Sequence, residues 1–236
     1  MQRAALEFVE KVDALTSADA VMDQFGAALR MRGIEYYVFG FVAFPTETFA
    51  DVTLASRLPA GLADAYHERD LVHHDPALRH AQRTALPFRW LKEAPYDPDA
   101  EPRAQEVVNF MRDFGLVDGM VFPFTTIASR LGQVWLGGPP LDLPKRELPP
   151  LHMMAFYAFD RVLQIKGVET QAIITLTPRE REALVLNADG KTADEIGEAL
   201  NVSERTVRAY HEQARRKLGA GNLSQAVAMA MRQRMI

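Results

Sequence analysis

Two stretches of this sequence concentrate side chains able to do chemistry. NVSERTVRAYHEQARRKL (Asn201–Leu218) carries five basic residues against two acidic ones, and HHDPALRH (His73–His80) sets Asp75 among three histidines. A guanidinium can hold guanine through paired hydrogen bonds. Arg205 and Arg208, in the N-terminal half of a helix, therefore suit base edges in a major groove. Arg215, Arg216 and Lys217, near the helix end, suit phosphates or solvent. A merely solvated basic helix would show the same charges. Asp75 has two readings as well. In an apolar pocket a carboxylate needs a donor such as an amide N–H, but Asp-Pro is also a common start for a helix, here at Pro76. The histidine spacing matches no strong zinc pattern, so neither a metal site nor a catalytic group is expected. An enzyme built on His73, His74 and Asp75 would have to reveal itself by turnover or bound metal.

The elements that position these groups must come from 236 residues, enough for two modest domains. Apolar residues make up 48%, which suffices for ordinary buried cores. There is no cysteine, which removes disulfides, thiolate catalysis and Cys-based metal sites. Net charge is −4, unevenly placed: residues 175–236 hold 10 Lys+Arg against 8 Asp+Glu, and the rest 17 against 23. Such asymmetry hints at a nucleic-acid-facing end. No charged-then-apolar leader and no membrane-length apolar run is seen, so a soluble cytoplasmic protein without membrane association is expected.

RAALEFVEKVDAL and SADAVMDQFGAALRMRG read as amphipathic helices, the second capped by Ser17 and stopped at Gly33. YYVFGFVAF (Tyr36–Phe44), DVTLAS, MVFPFTT and GQVWLGG read as strands. Helices are expected around Leu62–Arg69, Ala104–Phe114 and Pro150–Ile165. Strands and helices without βαβ alternation predict an α+β fold, an α-β-α sandwich around an antiparallel sheet. PYDPDAEP (Pro95–Pro102) reads as an exposed loop, or a lid over a pocket. The expected organisation is a ligand-binding and dimerisation domain over 1–165, a linker over 166–174 and an all-α domain over 175–236.

That last domain is heavily punctuated. Thr177 with Glu180 and Thr192 with Glu195 form T-x-x-E capping boxes, Ser203 and Asn222 can cap two further helices, and Gly190 and Gly219 supply stops. Four short helices result, with 192–217 a helix–turn–helix. Val207, Tyr210, Ala214 and Leu218 face the core in this reading, and Arg205, Arg208, Ala209, Glu212 and Arg216 face away. The stretch from Leu176 to Ala230 resembles the DNA-binding domain of the LuxR family of bacterial regulators. The resemblance rests on Thr177, Glu180, Leu184, Gly190, Lys191, Ile196, Ser203, Thr206, Val207, Lys217, Leu218, Asn222 and Ala226. Tyr210 departs from the family pattern, whereas His211 is kept. The resemblance implies that the third helix reads promoter DNA, with Lys191, Thr192, Ser203, Arg205, Thr206, Arg208, Ala209, His211, Glu212, Arg216 and Lys217 at the interface. It also implies a homodimer and RNA polymerase as a partner.

The N-terminal part lacks the five βα repeats of a phosphorylated receiver. PAGLADAYHERDLVHHDPALRH…LPFRW instead resembles the autoinducer-binding domain of quorum-sensing LuxR-type receptors, through Tyr66, Asp75, Pro76, Trp90 and the GLVDGMVFPF segment. The resemblance implies an N-acyl-homoserine lactone as ligand and no other cofactor. Asp75 would accept its amide N–H, with Tyr66 and Trp90 as walls. Three positions depart from the pattern. Leu62 stands where the lactone-binding tryptophan is usual, Leu58 where some members have a tyrosine, and Trp135 where Ser or Thr is common. Either Trp135 supplies an indole N–H to a different, less polar amide, or the pocket is collapsed and the regulator is an orphan that works without the lactone. Val38, Gly40, Val42, Val52, Leu54 and Leu78 alternate toward one side of their segments as an acyl wall, or as plain sheet core.

Overall fold

The computed structural model describes residues 2–126, 130–168, 175–233 and 235–236. Contacts divide the chain into two compact units, the first extending to Val168 and the second ending at Ile236.

In the first unit, α1 (Gln2–Val12) and α2 (Ala18–Leu29) present apolar stripes ending in Phe8, Val12, Phe25 and Leu29. Ser17 caps α2 by accepting from Ala20 N, and a short 3-10 turn closes at Gly33 in the left-handed region. Next come β1 (Tyr36–Phe41), a one-turn α3 (Phe49–Val52), β2 (Thr53–Arg57), α4 (Leu62–Glu68), α5 (Pro76–Ala81), α6 (Trp90–Glu93) and α7 (Pro102–Asp113). They are followed by β3 (Asp118–Thr125), β4 (Leu131–Gly138) and α8 (Leu148–Lys166). The four strands form one antiparallel sheet in the order β2-β1-β4-β3.

Strand alternation divides the core into two layers. Tyr37, Phe39, Phe41, Phe122, Val134 and Leu136 face α1, α2 and α8. Val38, Val121 and Trp135 face the opposite way, toward α4, α5 and α7. This is the α-β-α sandwich, with Pro123 tolerated because β3 is an edge strand.

Two expectations need correction. DVTLAS is not wholly a strand. Thr48 and Asp51 form a capping box, so Asp51 and Val52 complete a helical turn and β2 starts only at Thr53. The register of β1 against β2 also shifts between Phe39 and Gly40. Thr53 therefore turns toward the second layer, and Leu54 packs against the first. The expected linker, 166–174, starts inside α8, which runs through Lys166 and is capped by left-handed Gly167. Residues 169–174 of it lie outside the described residues.

The second unit contains α9 (Pro178–Ala188), α10 (Ala193–Leu200), α11 (Glu204–Leu218) and α12 (Leu223–Arg232). Both T-x-x-E boxes form, Ser203 Oγ accepts from Thr206 N, and Asn222 Oδ1 from Gln225 N. Asn201, with φ of 55°, makes the left-handed turn between α10 and α11. Leu184, Ile196, Val207, Ala214 and Leu218 fill the interior. Among the described residues no helix is long and apolar enough to cross a membrane.

Candidate functional site

Between the sheet and its second helical layer lies a mainly apolar cavity of about 50 Å³. α5 brings Asp75 to its wall. As N-cap, Asp75 Oδ1 accepts from Ala77 N at 2.7 Å, while Oδ2 accepts from the Tyr66 hydroxyl at 2.9 Å. Capping and cavity lining thus coexist in one carboxylate, whose oxygens have lone pairs for a further donor. Burial raises the Asp75 pKa, partly offset by Tyr66 and the backbone N–H groups of Ala77 and Leu78. Burial and the neighbouring Asp75 push the Tyr66 phenol well up, so it remains a neutral donor.

Of the residues expected at the site, Val38, Gly40, Val52, Leu58, Leu62, Tyr66, Asp75, Leu78 and Trp135 line the cavity. Three do not. Leu54 lies in the other layer, for the register reason above. Val42 belongs to the cavity-side core but not to the wall. Trp90 stands behind Trp135, ring centroids 5.6 Å apart, and its N–H donates to Leu136 O at 3.2 Å. The pair is seated on glycines: a Cβ at Gly137 would lie 2.0 Å from the Trp135 ring, and one at Gly119 2.1 Å from Trp90 Nε1. Larger side chains at either position would expel an indole. Leu62, at 2% exposure, contributes hydrocarbon only.

Sequence reasoning missed Phe41, Phe49, Thr53, Val72, Met111 and Gln133, which also line the cavity. Two signals were present: the Thr48–Asp51 box that resets β2, and the position of Gln133 two residues before Trp135, hence on the same sheet face. The histidines serve elsewhere. His73 bonds Asp70 and the Phe44 carbonyl, and the Asp70 carboxylate raises its pKa. His80 packs edge-on against Phe88. Among the described residues no group of three or more His, Asp or Glu could hold a metal ion. The 95–102 loop is tied back by Arg79, which donates to Pro95 O and pairs with Glu101.

On the second unit, Arg205, Arg208, Ala209, Glu212 and Arg216 are exposed along α11. Arg208 rests on Glu204 across one helical turn, Nη2 to Oε1 2.6 Å. Lys191 and Thr192 lie at the start of α10, where Thr192 forms the cap with Glu195. Ser203 and Thr206 bond each other at the start of α11. Two residues of the expected interface are engaged internally. His211 is half-buried against the Ala183 carbonyl at 3.3 Å, and burial lowers its pKa, favouring the uncharged ring. Lys217 Nζ lies 2.7 Å from Glu180 Oε2, a carboxylate only 1% exposed.

That pair ties α11 to the start of α9. Burial works to raise the Glu180 pKa, but Lys217 and Thr177 outweigh it and leave it lowered. Lys217→Met is expected to destabilise the chain by about 2 kcal/mol in urea at neutral pH, less than a fully buried pair because the lysine is partly solvated. A carboxylate with a lowered folded pKa stabilises above its unfolded pKa and loses that contribution as pH falls through the folded value. Wild type and variant should therefore converge in acid. A constant gap down to pH 2 would contradict this.

Comparison with known proteins bears on both units. Residues 17–162 match the family model described as "Autoinducer binding domain", and residues 174–230 the model "Bacterial regulatory proteins, luxR family". The chain is 37% identical over 234 residues, 99% of its length and 96% of the relative's, to the transcriptional activator protein BjaR1 of Bradyrhizobium diazoefficiens. It is 33% identical over 229 residues, 97% and 93% of the two lengths, to the HTH-type quorum sensing-dependent transcriptional regulator RpaR of Rhodopseudomonas palustris. A crystal structure of Escherichia coli SdiA matches with a TM-score of 0.71 over 98% of this chain and 97% of that one; at 18% identity the likeness is one of fold.

Proposed function

The chain belongs to the LuxR family of bacterial quorum-sensing transcriptional regulators, and we propose that its first unit captures an N-acyl-homoserine lactone or related amide while α11 of its second unit reads promoter DNA. The observation that carries the ligand reading is Asp75: a partly buried carboxylate on the wall of an apolar cavity, fixed from two sides by Ala77 N and the Tyr66 hydroxyl. An ionised carboxylate only accepts, and a secondary amide N–H is a donor that an otherwise apolar ligand can bring. Leu58 and Leu62 line the cavity and offer no donors to the ligand's carbonyls. The Trp135 indole supplies part of the cavity wall, with Trp90 packed behind it.

The relatives are transcriptional regulators, and no catalytic step is needed here. One helix reads few base pairs, so a homodimer with paired α11 helices suits a two-fold operator, with RNA polymerase as the downstream partner in the cytoplasm. Arg205 and Arg208 are assigned to base edges, and Lys191, Thr192, Ser203 and Arg216 to the backbone. Selection of duplexes from a random pool by the full-length protein tests this assignment. Enrichment of an inverted repeat, with half-sites about one helical turn apart and affinity falling steeply with salt, is expected. Recovery of no symmetric site would contradict it.

A further inference from the structure

Gln133 is a polar side chain that the foregoing account leaves without a task. It lines the cavity, is 7% exposed, and its Oε1 is buried without a hydrogen-bond partner among the described residues. Its neighbours explain why. Gln133 pairs across the sheet with Gly40 on β1 and Pro123 on β3, neither of which has a side-chain donor. The next position on the same face is Trp135, roughly 7 Å along β4. A buried carbonyl oxygen without a partner destabilises the fold, and an apolar residue of the same size would not. An amide here is therefore a cost to folding that only something entering the cavity can offset.

We infer that Gln133 is a specificity residue whose Oε1 accepts a hydrogen bond from a hydroxyl on the ligand's tail, so that the cognate ligand is a hydroxylated acyl amide rather than a plain alkyl one. This rests on the reading of Asp75 given above. A secondary amide has a single N–H, and Asp75 takes it. A lactone ring has no donor. The Gln133 oxygen thus requires a second donor, and on an acyl tail the group that supplies one is a hydroxyl.

Of the two tryptophans, Trp135 lines the cavity and Trp90 packs behind it, so their fluorescence reports its occupation. The full-length protein would be titrated with octanoyl-, 3-hydroxyoctanoyl-, 8-hydroxyoctanoyl- and 3-oxooctanoyl-homoserine lactone. One of the hydroxylated probes should bind roughly tenfold more tightly than the octanoyl probe, the worth of one good hydrogen bond to an otherwise unpaired group. Gln133→Leu should reverse that order and melt no lower than wild type without ligand; Gln133→Met is the second variant, should the branched side chain fit poorly. Equal binding of all four probes, strongest binding of the oxo probe, or a hydroxyl preference that survives Gln133→Leu would overturn the assignment while leaving Asp75 as the amide anchor. Failure of every probe to bind would overturn the Asp75 reading and this inference with it.

Discussion

Replacing Asp75 by Ala is expected to weaken capture of an acyl-homoserine lactone roughly ten- to a hundredfold. Three losses combine at this one side chain. The charge-assisted bond to the ligand amide is worth about 1.5–3 kcal/mol. The Tyr66 hydroxyl, 2.9 Å from Oδ2, is left buried without its acceptor, at a cost of about 1–3 kcal/mol. The cap of α5 through Ala77 N disappears, for about 1 kcal/mol. The first loss falls on binding and the other two fall mainly on the fold, so the ligand-free protein should also melt earlier. Asp75→Asn separates these effects. It keeps an oxygen for Ala77 N and places its amide NH2 against the Tyr66 hydroxyl, whose oxygen can accept, but it loses the charge, so stability is largely retained and binding drops about tenfold. Burial raises the pKa of Asp75, so capture should decline at a higher pH than an exposed carboxylate would give, falling as pH falls. Fluorescence titration of the three proteins checks all of this. Wild-type affinity in both variants would remove Asp75 from the site.

Arg208→Ala is expected to remove specific operator binding, by about a hundredfold in a dimer, with fold and dimer unchanged. The fold is indifferent because, among the described residues, the ion pair of Arg208 is with Glu204, an exposed pair across one helical turn, worth a few tenths of a kcal/mol. Binding is not indifferent, because each bidentate contact to a base edge contributes about 1–3 kcal/mol and a two-fold site contains two of them. Arg216→Ala provides the contrast. On a phosphate it should weaken binding to all sequences alike and flatten the salt dependence. Anisotropy with the selected duplex and a scrambled one measures both. If Arg208→Ala binds the selected duplex like wild type, α11 does not enter the groove by this face.

The C-terminal unit was nearly transparent in the sequence, because its boundaries are set by local chemistry. Thr177, Thr192, Ser203 and Asn222 each bond a backbone N–H within one turn, and such contacts need no tertiary information. The layers of the first unit were also legible, since β1 and β4 alternate cleanly. What failed depended on register or on distant partners. One capping box at Thr48 moved the start of β2, and with it exchanged Leu54 for Thr53 on the cavity wall. Trp90 was expected at the ligand, but its N–H reaches the Leu136 carbonyl 46 residues away. Lys217 and His211 look like interface residues in a basic helix. Their partners, Glu180 and Ala183, lie on α9 and appear only when the helices pack. Gln133 was overlooked because its significance is the lack of a partner, which no local pattern records.

Native mass spectrometry of the protein expressed with and without a mixed acyl-homoserine lactone pool decides whether the Asp75 cavity holds a signal. A soluble dimer retaining a single added mass, lost in Asp75→Ala, is the result expected if this cavity is the sensor. Equal amounts of ligand-free soluble dimer from both cultures would contradict it, and would mean that Leu58, Leu62 and Trp135 mark a regulator that does not depend on this class of signal.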